Sequence, residues 1–219
     1  MMNDSTGDGG TRGRILDVAW SLIVARGLTD VSMGEIAKDA GVSRQALYLH
    51  FGSRAGLLVA MARHHDDHSA RVARLRKLRE EGTSGERLFE EYFNVWLDYV
   101  PDIFPVARTL AAAAATDPEA SLAWNDRMEA LRAGIARVMD NLHRSGLLKP
   151  GWSVRTATDW AWSQAHIDVW RHLVVERGWS PKDAKARIMA TLRAGLMRDD
   201  TRPVPSRQGK TRSRSRTEV

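Results

Sequence analysis

The chain has 219 residues, 43% of them hydrophobic and 27% charged, with a formal net charge of +6 and no cysteine. That balance predicts a globular protein, either one large helical domain or a small module joined to a larger one. The absence of cysteine excludes disulfides, thiolate metal sites and a cysteine nucleophile, and fits a reducing cytoplasmic setting.

The opening MMNDSTGDGGTRGR has no apolar stretch behind its charges and does not read as a signal peptide. No apolar run reaches the length of a membrane span, so a soluble cytoplasmic protein with no membrane partner is expected. Residues 1–10 are glycine-rich and polar, which predicts a flexible lead-in. From Thr11 onward helical periodicity dominates. Ile15, Val18, Ala19, Leu22 and Ile23 follow the spacing of a buried helix face, and Gly27 ends that helix. Ser32-Met33-Gly34-Glu35 has the form of a capping box, in which serine and glutamate satisfy orphan amides reciprocally. Ile36, Ala37 and Ala40 supply the apolar face of the short helix behind it, and Gly41 stops it. Ser43 then caps a second short helix to about Phe51, and Ser53 caps a long fourth helix through Leu57, Leu58 and Met61 toward Leu78.

A linker, EEGTSGE (80–86), follows. Pro118 and Pro181 each stand at a first helical position behind a capping residue, while Pro101, Pro105 and Pro150-Gly151 mark breaks. The spacing predicts five further helices, near 85–100, 102–115, 118–145, 153–177 and 181–198. The sum is an all-α protein of about nine helices without repeats or strands. A three-helix helix-turn-helix module occupies 11–60 and a larger helical domain 61–200. Residues 201–219 hold six Lys or Arg against Glu218 alone, so five of the six net charges lie there. This predicts a disordered basic tail, either a solvated end or a non-specific hold on nucleic acid.

Two short helices across a tight glycine turn, braced by an earlier amphipathic helix, form a helix-turn-helix, whose second helix enters the DNA major groove. Arg44, Gln45, Tyr48 and Leu49 share one side of residues 44–51, and Ala46, Leu47, His50 and Phe51 the other. The first side has the chemistry of base readout: Arg44 suits guanine acceptors, Gln45 adenine and Leu49 a thymine methyl. Tyr48 suits a phosphate, and Ser32 and Ser43 sit at helix N-termini whose exposed amides attract phosphate. His50 reads as packed or touching phosphate.

Residues 11–60 resemble the N-terminal domain of TetR-family transcriptional regulators. The resemblance rests on Arg14-Ile15-Leu16, Gly27, Ser32 before Ile36-Ala37, Ala40-Gly41-Val42-Ser43, Tyr48-Leu49-His50-Phe51, and Arg54 before Leu57-Leu58. Arg54 stands where the family usually has lysine, and either meets a phosphate. Gln45 replaces a frequent glycine or proline. The resemblance implies Arg14, Ser32, Ser43, Arg44, Gln45, Tyr48, Leu49, His50 and Arg54 as the DNA-binding set, and a partly palindromic double-stranded operator. It implies a homodimer paired through the last two long helices, and a C-terminal domain that binds a small effector and dimerises.

Six of the eight tryptophans lie from Trp124 onward, and the 153–177 segment is apolar on two sides, as a helix shared between a core and a partner would be. An aromatic-lined effector pocket is expected from Trp96, Tyr99, Phe104, Trp124, Trp162, His166 and Trp170. His64 and His68 have a spacing able to share a metal, but no full ligand set stands near them, so no metal or cofactor is expected. The sequence reads as a DNA-binding regulator, a repressor released by a small molecule. A regulator without an effector and, remotely, a histidine-dependent hydrolase are the alternatives.

Overall fold

The structure, a computed structural model, describes residues 5–27 and 30–198. The expected basic tail, 201–219, and the first four residues of the expected lead-in lie outside them. The described residues form helices α1 (Ser5–Arg26), α2 (Met33–Asp39), α3 (Arg44–Phe51), α4 (Arg54–His68) and α5 (Ala70–Glu80). They continue with α6 (Gly85–Ala113), α7 (Pro118–Arg144), α8 (Val154–Ala165), α9 (Ile167–Trp170), which runs into a π-helical stretch at Arg171–Glu176, and α10 (Pro181–Leu196). There is no strand among them.

Four expectations of element boundaries are corrected. Helix α1 starts at Ser5, within the expected lead-in and six residues before Thr11. A helix nucleated on the buried face Ile15, Leu16, Ala19 and Ile23 elongates at one hydrogen bond per added residue, which is far easier than nucleation. The long fourth helix breaks at Ser69, whose backbone is extended, giving α4 and α5. The break turns α5 so that Leu78 is buried and Val72 packs against the cluster that α6 helps to build.

The two helices expected on either side of Pro101 are one, α6, with both Pro101 and Pro105 inside it. A proline in a helix interior costs about 3 kcal/mol. Here an unbroken buried stripe of Phe89, Phe93, Trp96, Leu97, Val100, Val106 and Leu110 runs past both prolines. Each large side chain contributes about 1.5–3 kcal/mol on burial, so continuity wins. The segment 153–177 is broken at His166, whose extended backbone and ring nitrogen cap α9: Nδ1 accepts from the Asp168 amide at 3.2 Å. The carbonyl of Ala165, freed by that break, accepts from the Trp96 indole at 2.9 Å.

Two apolar clusters organise the chain. One joins α1–α4, and takes in Val106 and Leu110 from α6 and Ala120 and Ala123 from α7. The other is built from α6, α7, α8 and α10, with Phe89, Phe93, Ile135 and Met139 at its centre. The module expected at 11–60 therefore rests on the far ends of α6 and α7.

Helix α4 joins the two parts. Arg54 pairs with Asp117, and Arg63 with Asp126, 63 residues on in each case. A constant offset at 1.5 Å per residue means that α4 and α7 run parallel and in register. Farther along, Arg127 donates to Asp66 at 2.6 Å and Tyr99 donates to the other oxygen of Asp66 at 2.7 Å.

Candidate nucleic-acid interface and adjoining cavity

The turn between α2 and α3 is built as its sequence requires. Gly41 has φ 66°, a left-handed conformation that costs an ordinary residue energy and glycine none. The Val42 amide reaches back to the Ala37 carbonyl at 2.9 Å, closing the end of α2. Ser43 then begins α3, its hydroxyl accepting from the Ala46 amide at 3.0 Å. Leu47 and Phe51 are the buried side chains of α3 and seat it on the first cluster. Opposite them Arg44, Gln45, Tyr48 and Leu49 are exposed, Leu49 to 81% and Tyr48 to 38%. The Arg44 guanidinium lies 5.8 Å from the centre of the Tyr48 ring, which holds the two side chains together. The exposed leucine beside the paired arginine and tyrosine offers an apolar contact next to hydrogen-bond donors.

The rest of the expected DNA-facing set divides. Ser43, Arg44, Gln45, Tyr48 and Leu49 are brought together on one exposed surface. Ser32 belongs to the start of α2, where the capping box is complete: its hydroxyl accepts from the Glu35 amide at 3.2 Å, and its own amide donates to Glu35 at 2.9 Å. The backbone and hydroxyl of Ser32, with Arg26, pull the Glu35 carboxyl down to about 2. A carboxylate thus holds the α2 terminus that was expected to attract phosphate, whereas the first turn of α3 has no acid. Arg14 is exposed, and its Nε donates to the Ala40 carbonyl at 3.1 Å, bracing α1 on the end of α2. Arg54 pairs with Asp117, the N-cap of α7, and so anchors the module to the larger domain. His50 is half-buried with its ring 6.0 Å from that of Phe51. Arg12, which the sequence reading did not single out, lies over the Phe51 ring at 5.1 Å.

Behind this module a cavity of about 510 Å³ opens between α5, α6 and α7. One face of each helix lines it: Val72, Leu75, Arg76 and Arg79 from α5, and Leu88, Tyr92, Trp96 and Tyr99 from α6. From α7 come Arg127, Leu131, Gly134, Arg137, Val138 and others. Two of the seven expected pocket residues, Trp96 and Tyr99, are on this wall. Phe104, Trp124, Trp162, His166 and Trp170 are not. They pack in or against the second cluster, with Trp162 and Trp124 edge-on to the His166 ring at 4.9 and 5.8 Å. The α6 signal was present in the sequence, since Leu88, Tyr92, Trp96 and Tyr99 repeat at helical spacing. The basic residues of α5 and α7 carried no such mark, because arginines on amphipathic helices usually face solvent.

Gly134 is where α7 comes closest to the wall: a Cβ there would stand 2.1 Å from the Tyr92 hydroxyl oxygen. Burial pushes both the Tyr92 and the Tyr99 hydroxyl well above the usual tyrosine range, and the Asp66 carboxylate adds to the effect at Tyr99. Both remain donors at neutral pH. Next to Asp66, His65 stacks flat on Trp20 of α1, with ring centres 3.6 Å apart, and lies 6.1 Å from Tyr99. Burial lowers its pKa from the usual 6.5. The neighbouring pair has other partners: His64 Nε2 meets Asp17 at 3.0 Å, and His68 Nδ1 meets the His64 carbonyl at 2.8 Å. Among the described residues no group of three or more potential metal ligands converges. No helix of these residues is long and apolar enough to cross a membrane.

Comparison with known proteins agrees with the geometry. Residues 15–61 match the family of bacterial regulatory proteins, tetR family. The transcriptional regulator AcrR of Shigella flexneri is 51% identical over 47 residues, 22% of each chain. The regulator EthR of Mycobacterium tuberculosis is 28% identical over 126 residues, 58% of each chain. The chain thus spans less than two thirds of the length of these curated relatives. NalD of Pseudomonas aeruginosa, the secondary repressor of the MexAB-OprM multidrug efflux pump, has the same fold. It superposes with a TM-score of 0.64 at 20% identity, covering 88% of this chain and 98% of its own. NemR of E. coli gives a TM-score of 0.63 at 18% identity, covering 85% and 97%.

Proposed function

We propose that the chain is a transcriptional regulator of the TetR family and acts as a sequence-specific repressor. It acts as a homodimer on a partly palindromic operator and is released when a small molecule occupies the cavity behind its DNA-binding module. The observation that carries this reading is the exposed face Arg44, Gln45, Tyr48 and Leu49 on a helix seated by Leu47 and Phe51. Two such helices, one per protomer, would dock in successive major grooves, with the two-fold axis of the dimer matching that of the operator.

The coupling follows from α4. Its first turn is tied to α7 through Arg54 and Asp117, and its last turn reaches the cavity wall through Asp66. An occupant that favours a different seat for Asp66 and Tyr99 moves the same helix that supports α3. Release requires that the effector prefer the DNA-incompetent arrangement; affinity alone shifts nothing. NalD's description as a repressor supports the sign of the regulation. FasR of Mycolicibacterium smegmatis, an activator 43% identical over 56 residues, makes activation the reading to test against it.

Sequences selected from random DNA by the protein, and then footprinted, test the proposal. Gln45→Ala should relax preference at one operator position, and Tyr48→Phe should weaken binding to all sequences alike. Unchanged operator affinity in both variants would sink the recognition face. A reporter behind the selected operator separates repression from activation.

A further inference from the structure

The cavity has two kinds of wall. Its floor is apolar and aromatic, with Trp96, Tyr99, Leu131 and Val138 buried and Tyr92 half-buried. Its remaining wall is cationic: Arg76, Arg79, Arg127, Arg137 and Arg144 line it, against the carboxylates of Asp66 and Asp140. Three of those arginines are already neutralised. Arg76 pairs with Asp67, Arg127 with Asp66 and Asp126, and Arg144 with Asp140. Arg79 and Arg137 have no carboxylate partner among the described residues, and both line the same cavity.

Two uncompensated guanidinium groups beside an aromatic floor raise the affinity for one kind of occupant. The aromatic surface favours an apolar body, and the guanidinium forks favour a planar anion that takes two parallel hydrogen bonds. A cation is disfavoured by like charge, and a neutral molecule leaves the arginines with water alone. We propose that the cavity binds a small amphipathic carboxylate, its apolar body against Tyr92, Trp96 and Tyr99 and its charge balanced by Arg79 and Arg137. The proposal deepens the effector reading and rests on it for the step from binding to release, but not for binding itself.

Isothermal titration of the full chain with three probes of one shape tests it: 2-naphthoate, 2-naphthamide and 2-naphthylmethylammonium. The naphthoate should bind about tenfold more tightly than the amide, as one charge-assisted contact at a partly exposed site allows, and the ammonium more weakly than either. The double variant Arg79→Gln, Arg137→Gln should erase the preference for naphthoate and leave the amide unchanged. Both positions are exposed, so the variant should melt with the parent, and the unchanged amide affinity is a second check that the cavity is intact. Equal or tighter binding of the amide, tighter binding of the ammonium, or a preference that survives the double variant would overturn the assignment. Operator footprinting on the same samples separates the two readings. A protected operator without probe discrimination leaves the DNA-binding reading standing and the ligand class refuted. Discrimination without a protected operator does the reverse.

Discussion

Leu47 and Leu49 lie two residues apart on α3 and should respond oppositely to the same truncation. Leu47 is 0% exposed and is one of the two buried side chains that seat the helix. Truncation to alanine removes three carbons, worth about 2.4 kcal/mol at about 0.8 kcal/mol each. The cavity left behind raises the loss to about 3–4 kcal/mol. For a chain of this size that corresponds to a fall in melting temperature of roughly 10 °C. Leu49 is 81% exposed, so its truncation should change stability by less than about 0.5 kcal/mol. On the proposed function, what it loses is an apolar contact in the major groove, worth about 1 kcal/mol, or roughly fivefold in operator affinity. Thermal melts followed by circular dichroism and operator titrations at 20 °C measure both. If Leu49→Ala melted as early as Leu47→Ala, or bound the operator as well as the parent, the two faces of α3 would have been assigned the wrong way round.

Gly134→Ala places a methyl group 2.1 Å from the Tyr92 oxygen, so the tyrosine must move into the cavity. The overpacking, about 1–3 kcal/mol, exceeds the roughly 1 kcal/mol that alanine adds to a helix, and melting should fall by a few degrees with loss of naphthoate binding. Adding Tyr92→Phe removes the offending oxygen and should restore part of both; no recovery would refute the clash. Acidification should also destabilise the protein. Burial lowers the pKa of His65 below its ordinary 6.5, so below that pH the unfolded chain binds the proton that the folded one refuses. Stability is therefore complete above pH 6.5 and declines as pH falls toward the folded value. His166, lowered by its own burial, acts in the same direction. His65→Gln should flatten the dependence of melting temperature on pH between 7.5 and 5.5, with His166 supplying the remainder. An unchanged slope would mean that the stacking on Trp20 does not control this titration.

The DNA-binding module was legible in the sequence because its determinants are local. A capping box, a glycine in left-handed conformation and a serine N-cap each act within a few residues, so their spacing reports their structure directly. The exposed face of α3 follows from the 3.6-residue period once Leu47 and Phe51 are recognised as the buried side. The same logic failed where distant segments decide. Pro101 and Pro105 carry a strong local signal to break, which loses to a buried stripe extending along the whole of α6. Ser69 and His166 carry a weak one, yet both interrupt helices because α5 must turn onto α6 and because α9 needs a cap.

The roles of charged side chains belong still more to the tertiary structure. Arg14 and Arg54 look like phosphate contacts in a motif, and the structure adds a bond from the one to the Ala40 carbonyl and from the other to Asp117 at the start of α7. Arg79 and Arg137 look like ordinary surface charge until α5 and α7 face each other across a cavity and leave both without a carboxylate partner among the described residues. Hydrophobic periodicity and capping are encoded in neighbouring residues, whereas the partner of a charge is set by which helix folds against it. The sequence by itself therefore determined the helices of the DNA-binding module and the face they present. Only the packing of α4 against α7, and of α5 against α6, decided which arginines anchor that module and which line the cavity.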